Sequence, residues 1–220
     1  MINVFYYKIE NVSAPFTEGD QKLFSLLSSR KADRVVSASS AEVRKTAFYG
    51  EILTLGLGLT RFGLDDNLSI EYSPSGKPFI RDWNFRFNIS HTDGCLFIAF
   101  FDGEVGIDAE VIRPFDRRIA EKYFSEKELA FVAASQDKNE AFTRIWTRKE
   151  AYVKYTGKGI GKGRFKDADA FDKKGVTLSV DDKYIVSVFS DTEFEDVAVQ
   201  EISFDVYFDI IDRLEATLCD

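Results

Sequence analysis

Histidine and cysteine are scarce in this chain of 220 residues, which has one of the former, His91, and two of the latter, Cys95 and Cys219. A single imidazole excludes a histidine-rich metal centre and leaves at most one such group for acid or base work. The cysteines are far apart and have no companion ligands, so neither a disulfide framework nor a zinc site is expected. Basic residues are also in deficit, 29 Lys and Arg against 37 Asp and Glu, for a net charge of −8. Nucleic-acid proteins present a basic face to phosphates, so no nucleic-acid partner is expected and any anionic ligand must be met by a local basic cluster. Long apolar runs are missing: the longest, Cys95 to Phe101, is far short of the roughly 20 residues of a bilayer-spanning helix. No membrane partner is expected. The opening residues Met1 to Glu10 read as a strand rather than a signal sequence, and with the thiol usage this predicts a cytoplasmic protein.

What is abundant is phenylalanine, 21 residues, within an apolar fraction of 45%, enough for one sizeable core or two lobes of roughly 100 residues each. After the first strand, Thr17 to Asp20 precede Leu23, Phe24, Leu26 and Leu27 as a capped helix with one apolar face. A second helix is predicted from Ala41 to Leu55. Turn residues then separate short strands at Leu68 to Ser73, Lys77 to Arg81, Phe85 to Ser90, Cys95 to Phe101 and Val105 to Glu110, mostly an antiparallel set. Ser125-Glu126-Lys127-Glu128 matches a capping box and starts a helix reaching Ala134. Another helix runs from about Asn139 to Gly157, where glycine can take the left-handed closing conformation. Strands follow at Val176 to Val180, Tyr184 to Phe189 and Val197 to Phe208. Each half thus holds helices and strands, which predicts an α+β protein of two lobes meeting near Asp102-Gly103-Glu104.

Glu150 and Lys154 are four residues apart and share a helix face. Asp108 and Glu110 alternate within an apolar run and, in a strand, project to one side of the sheet. Two like charges emerging from a buried sheet call for a cation, and three acids with a lysine suit Mg²⁺ holding a phosphate. Each piece taken alone has a plainer reading: solvated acids on a strand, and a surface ion pair on the helix worth about 0.3 to 0.5 kcal/mol. Trp146, one turn before Glu150, fits a partly buried site, although such a tryptophan is more often core than ligand contact. Ser90 and His91 are strand neighbours facing opposite ways, which argues against a serine nucleophile with its base; the histidine alone reads as structural. Ser75-Gly76-Lys77-Pro78 is explained as a hairpin turn. The glycine-rich run from Gly157 to Gly163 follows a helix instead of opening one, which excludes a Walker-type phosphate loop.

In order, Gly76-Lys77-Pro78, Phe87-Asn88-Ile89-Ser90-His91, Val105 to Glu110, Phe124 to Glu128 and Trp146-Thr147-Arg148-Lys149-Glu150-Ala151-Tyr152-Val153-Lys154 resemble the Sfp-type 4′-phosphopantetheinyl transferases. The resemblance implies two similar α+β lobes related by a pseudo-two-fold, residues 1–104 and 105–220, in a monomer. It implies transfer of 4′-phosphopantetheine from coenzyme A to a serine of an acyl or peptidyl carrier protein, with release of adenosine 3′,5′-bisphosphate. By the same resemblance Asp108, Glu110 and Glu150 would bind Mg²⁺, and Lys154 would contact the phosphate under attack. Glu150, or a water it orients, would be the general base. Lys77, Ser90 and His91 would hold the nucleotide and phosphates of coenzyme A, with Lys31 and Arg34 near its 3′-phosphate. The chain departs from the family around Glu51, where the usual basic position falls near Thr46 and Arg44 and Lys45 are displaced toward the N-terminus.

Carrier proteins are generally acidic, and so is this chain, so association requires a local patch of opposite sign. Arg113, Arg117, Arg118 and Lys122, beside Phe115 and Phe124, are predicted to dock the carrier helix; a solvated helix face is the plainer reading. Two other classes share parts of this constellation. A magnesium nuclease gathers acids and a lysine, but net acidity and a missing Glu-x-Lys spacing count against it. A non-catalytic coenzyme A binding module would keep Lys77, Ser90 and His91 while losing a metal acid, and here all three acids are present.

Overall fold

The computed structural model describes residues 1–9, 18–65, 68–157, 165, 168–194 and 196–218. It is an α+β arrangement whose two main sheets meet at their edges. The first sheet has strand order β4-β5-β1-β9, from β1 Ile2–Lys8, β4 Arg86–Thr92, β5 Cys95–Phe101 and β9 Val197–Glu201. All its neighbours are antiparallel except β1 and β9, which run parallel with Ile2 opposite Val197. The second has order β6-β8-β7, from β6 Val105–Val111, β7 Gly175–Val180 and β8 Tyr184–Ser190. A short hairpin pairs β2 Ile70–Tyr72 with β3 Pro78–Ile80. The helices are α1 Glu18–Leu23, α2 Ser29–Ser37, α3 Ala41–Arg61, α4 Arg117–Tyr123, α5 Glu126–Ala134, α6 Lys138–Thr156 and α7 Phe204–Thr217, with a 3-10 turn at Phe24–Leu26.

Side-chain alternation explains why β5 is buried along its whole length. Leu96, Ile98 and Phe100 face a core built on α3, whereas Cys95, Phe97, Ala99 and Phe101 face a second core shared with β6 and β8. The same period of two divides β1, with Phe5 and Tyr7 in the first core and Ile2 and Val4 in the second. Helix α3 is buried nearly all round and extends past the predicted Leu55 to Arg61. A third core, including Phe124, Phe142 and Ile145, lies under α4, α5 and α6.

Two stretches differ from expectation. The strand predicted for Val197 to Phe208 stops at Glu201 and gives way to α7, capped by the Ser203 hydroxyl accepting from Val206 N–H. Aromatics at Phe204, Tyr207 and Phe208 suit either periodicity, but Tyr207, Ile210, Ile211 and Leu214 line one helical face and are buried. Strand β9 and helix α7 then join the first sheet and α3, because β1 offers an open edge and Gly56 admits Ile210: a Cβ there would lie 2.1 Å from Ile210 Cγ2. Helix α2, absent from the predicted elements, forms on an N-cap at Ser28 whose hydroxyl accepts from Lys31 N–H. The glycine-rich run after Gly157, and Cys219, lie outside the described residues.

Candidate active site

The edge strands β4 and β6 face each other across the seam between the sheets and are joined by side chains rather than by a backbone ladder. Asn88 Oδ1 accepts from Ile107 N–H at 3.0 Å, Ser90 Oγ accepts from Ala109 N–H at 3.2 Å, and Thr92 Oγ1 donates to Glu110 Oε2 at 3.1 Å. The register brings Ser90 beside Asp108 and Thr92 beside Glu110.

On β6, Val105, Ile107 and Ala109 enter the core, so Gly106, Asp108 and Glu110 share the opposite face. That face receives α6. A Cβ on Gly106 would lie 2.2 Å from Ala151 O and 2.3 Å from Tyr155 N, so only glycine lets the helix backbone settle on the strand. This contact brings Glu150 and Lys154, the residues just before Ala151 and Tyr155, over the strand's acids. Gly157 closes α6 at φ 61°, the left-handed region that glycine reaches without strain.

Asp108 is buried at 6% exposure. Its Oδ1 accepts from Lys154 Nζ at 2.8 Å and from Ser90 Oγ at 3.1 Å. Lys154 Nζ also donates to Ser90 Oγ at 2.9 Å. With Ala109 N–H on its other lone pair, the Ser90 hydroxyl has its one proton and both acceptor sites engaged, as a positioning group would. Glu110 accepts from Arg113 and from Thr92; burial and the charge of Asp108 push its pKa up. Glu150 is pushed further, to about 7, first by burial, then by Asp108 and, less strongly, Glu110, with Lys154 opposing.

A metal can be tested against these residues on two observations. Asp108 Oδ2 is buried and has no hydrogen-bond partner, an orphaned hard donor of the kind a divalent cation satisfies. Glu110 and Glu150 both carry a raised pKa that repulsion among the acids helps to cause, and a cation removes that repulsion. The donor set therefore fits Mg²⁺. Among the described residues no three such side chains already stand as a closed metal cluster; Arg113 and Lys154 hold Glu110 and Asp108 instead.

Beside the acids opens a cavity of about 410 Å³ whose lining includes Arg30, Lys31, Arg34, His91, Thr46 and Lys154. The His91 pKa is lowered by desolvation and by the charges of Lys154, Lys31 and Arg34. A second cavity of about 300 Å³ includes Glu150 and Lys77 and shares Gly76, Pro78, Asn88, Ile89 and Lys154 with the first. Lys77 donates to Glu104 at 2.6 Å and to Tyr155 O at 2.8 Å, tying the β2-β3 hairpin to the end of α6. Thr46 stands where Arg44 and Lys45 do not: Lys45 lines a separate cavity with Ile9 and Asp93.

Two groups were not legible as parts of this site. Arg30 was overshadowed by its neighbour Lys31. Lys149 is fully buried, donating to Glu128 Oε1 at 3.1 Å, to Oε2 at 3.0 Å and to Ala168 O. Glu128 also accepts from Ser125 N–H, closing its capping box, and from Ala170 N–H. The pair fixes α6 about its own axis, one residue from Glu150. The available signal was the angular one: adjacent helix residues lie about 100° apart, so a lysine beside an outward acid can turn inward.

The predicted docking segment is divided by the structure. Arg118 and Lys122 are exposed, as is Arg117, which pairs with Glu121 at 2.7 Å. Arg113 reaches Glu110, and Phe115 packs edge-on against Phe142. Phe124 is a correction: at 3% exposure it belongs to the third core, stacked on Phe142, and presents no surface to a partner. Trp146 likewise packs among Phe142, Tyr123 and Phe165. Among the described residues no helix is long and apolar enough to cross a membrane.

Three acids and a lysine thus stand beside a basic cavity, a set of groups chemically suited to phosphoryl groups. Residues 104–219 match the family model of the 4′-phosphopantetheinyl transferase superfamily. The chain is 30% identical over 167 residues to the 4′-phosphopantetheinyl transferase gsp of Aneurinibacillus migulanus, covering 73% of this chain and 68% of that protein. It is 36% identical over 126 residues to the 4′-phosphopantetheinyl transferase psf-1 of Bacillus pumilus, covering 56% of this chain and 54% of the relative. It is 30% identical over 149 residues to the 4′-phosphopantetheinyl transferase Sfp of Bacillus subtilis strain 168, covering 65% and 66%. The chain belongs to the 4′-phosphopantetheinyl transferase superfamily, as an Sfp-type member.

Proposed function

We propose that this enzyme transfers 4′-phosphopantetheine from coenzyme A to a serine hydroxyl of an acyl or peptidyl carrier protein, with Mg²⁺, releasing adenosine 3′,5′-bisphosphate. The observation that carries the reading is the convergence of Asp108, Glu110, Glu150 and Lys154 beside a cavity lined by Lys31, Arg34 and His91. The basic cavity suits the nucleotide end and its 3′-phosphate, and the acids lie where the pyrophosphate would follow.

In this reading Asp108, Glu110 and Glu150 would hold the metal, which when bound would neutralise pyrophosphate charge. Lys154, kept in place by Asp108 and Ser90, turns its ammonium to the phosphate under attack. Glu150 takes the carrier serine's proton, directly or through one water. The serine oxygen bonds to the phosphorus bearing the pantetheine arm, and the bond from that phosphorus to the bridging oxygen breaks. That oxygen departs on adenosine 3′,5′-bisphosphate. Transfer of this kind depends chiefly on positioning and charge stabilisation, which acids, metal and lysine supply. Arg117, Arg118 and Lys122, with Arg113 and Phe115 behind them, form the docking patch for an acidic carrier; its charge serves encounter more than affinity.

The test is intact-mass spectrometry of apo carrier protein incubated with the enzyme, coenzyme A and Mg²⁺. A gain of one phosphopantetheine, abolished by EDTA and by Glu150→Gln, is the expected result. Coenzyme A binding without any gain across fatty-acid and peptide-type carriers would reduce the protein to a binding module.

A further inference from the structure

The wall of the basic cavity rests on a carboxylate that does not line it. Glu51, on α3, is fully buried. Its Oε2 accepts from Ser28 N–H at 2.8 Å, and its Oε1 accepts from Ser28 Oγ and from Tyr72 OH, both at 2.8 Å. Ser28 is the N-cap of α2, and its hydroxyl, with its proton committed to Glu51, accepts in turn from Lys31 N–H at 3.3 Å. One carboxylate thereby fixes both donors of the residue from which α2 springs.

Helix α2 brings Arg30, Lys31 and Arg34 to the cavity. The Tyr72 ring, held by its hydroxyl on Glu51, lies under the Arg30 guanidinium at 4.8 Å. Three elements, α2, α3 and β2, are thus tied at one buried point by bonds spanning 23 and 21 residues, and every tie leads to a cation of the cavity. The charge balance agrees: burial and its cationic neighbours depress the Lys31 pKa, and the Glu51 charge opposes them.

We propose that Glu51 is a positioning residue for recognition of the 3′-phosphate of the nucleotide, acting through the Ser28 cap and Tyr72 to hold Arg30, Lys31 and Arg34 as one anion-binding wall. This rests on the reading above that coenzyme A is the donor and that its 3′-phosphate meets α2. A hydrogen-bonded carboxylate locks the orientation of the groups it accepts from, and a small loss of alignment weakens every contact those groups make. Long-range electrostatics alone makes the opposite forecast, because removing a negative charge beside a phosphate site would tighten binding.

The experiment compares coenzyme A with 3′-dephospho-coenzyme A as donors to one apo carrier, for the wild type and Glu51→Gln. Wild type is expected to prefer coenzyme A through KM. Glu51→Gln is expected to raise KM for coenzyme A about tenfold, the scale of one or two hydrogen bonds, with KM for the dephospho form and both kcat values held within about twofold. A purely structural role would lower Tm and both kcat values together and leave the preference intact, which overturns the proposal. Sharper preference for coenzyme A would overturn it in favour of simple electrostatics. Should Glu51→Gln fail to fold, Tyr72→Phe removes one of the three bonds; a reduced preference supports the proposal and an unchanged one overturns it. Wild-type turnover with no preference between donors overturns the proposal while the transferase reading stands. Absence of turnover and of coenzyme A binding overturns both.

Discussion

Replacing Gly106 by alanine tests the joint between strand and helix on which the acid cluster depends. The new Cβ would sit 2.2 Å from Ala151 O, 2.3 Å from Tyr155 N and 2.8 Å from Tyr155 Cα, all backbone atoms. No rotamer relieves such a contact, so α6 must lift from β6 by about 1 Å to restore van der Waals separation. Overpacking of a buried contact destabilises by about 1 to 3 kcal/mol, and the backbone involvement puts this case at the upper end. For a chain of this size, about 2 to 3 kcal/mol lowers Tm by about 5 to 10 °C. The catalytic effect is larger in proportion. Lifting α6 carries Lys154 away from Asp108, now 2.8 Å apart, and displaces Glu150 with it; misplacement by about 1 Å reduces turnover by about 100-fold. Differential scanning fluorimetry reads the first quantity and phosphopantetheine incorporation by intact mass reads the second. Near-wild-type Tm together with near-wild-type turnover would refute the account of how α6 is seated.

Breaking the buried pair with Lys149→Met leaves Glu128 uncompensated and is expected to destabilise by about 3 to 5 kcal/mol, whereas Lys149→Met with Glu128→Leu is expected to recover only part of that in urea denaturation, because Ser125 N–H and Ala170 N–H lose their acceptor. Glu150, whose pKa rises to about 7 in the fold, binds its proton more tightly folded than unfolded. Its contribution to metal-free stability is therefore greatest below the unfolded carboxylate range of about 4.3 and declines as pH rises toward about 7. Added Mg²⁺ should accordingly raise Tm more at about pH 8 than at about pH 5.5, a difference that Glu150→Gln should reduce. Charge reversal at Arg117 and Arg118 together is expected to raise KM for the carrier about tenfold, with KM for coenzyme A unchanged and the effect fading at high salt; an unchanged carrier KM would remove the docking patch.

Local pattern carried the placement of the acids and the lysine well. Alternation in Val105 to Glu110 put Asp108 and Glu110 on one face, and four-residue spacing put Glu150 and Lys154 on another, as the fold has them. Ser125 and Glu128 form the capping box their spacing announced. What the pattern could not carry was long-range: that Glu128 has a second partner 21 residues away in Lys149, or that Glu51 reaches back 23 residues to Ser28. Local spacing also misplaced Phe124, since an aromatic beside basic residues looks like surface until Phe142 is seen to stack on it. The transition from β9 to α7 was missed although Ser203 is a cap, because the aromatic residues that follow satisfy strand and helix periods alike.

The parallel pairing of β1 with β9 has a bearing on how the protein is made. Ile2 meets its partner Val197, 195 positions further along, only after the intervening elements have been synthesised. Until then one edge of β1 is an unprotected template in a nascent polypeptide, open to other extended segments. Such distant closure delays assembly, so the first sheet, and the cavity wall that α3 supports beside it, must mature after β6 and α6 have left the ribosome. The acids and lysine can thus be in place on their own strand and helix before the sheet beside the basic cavity is complete.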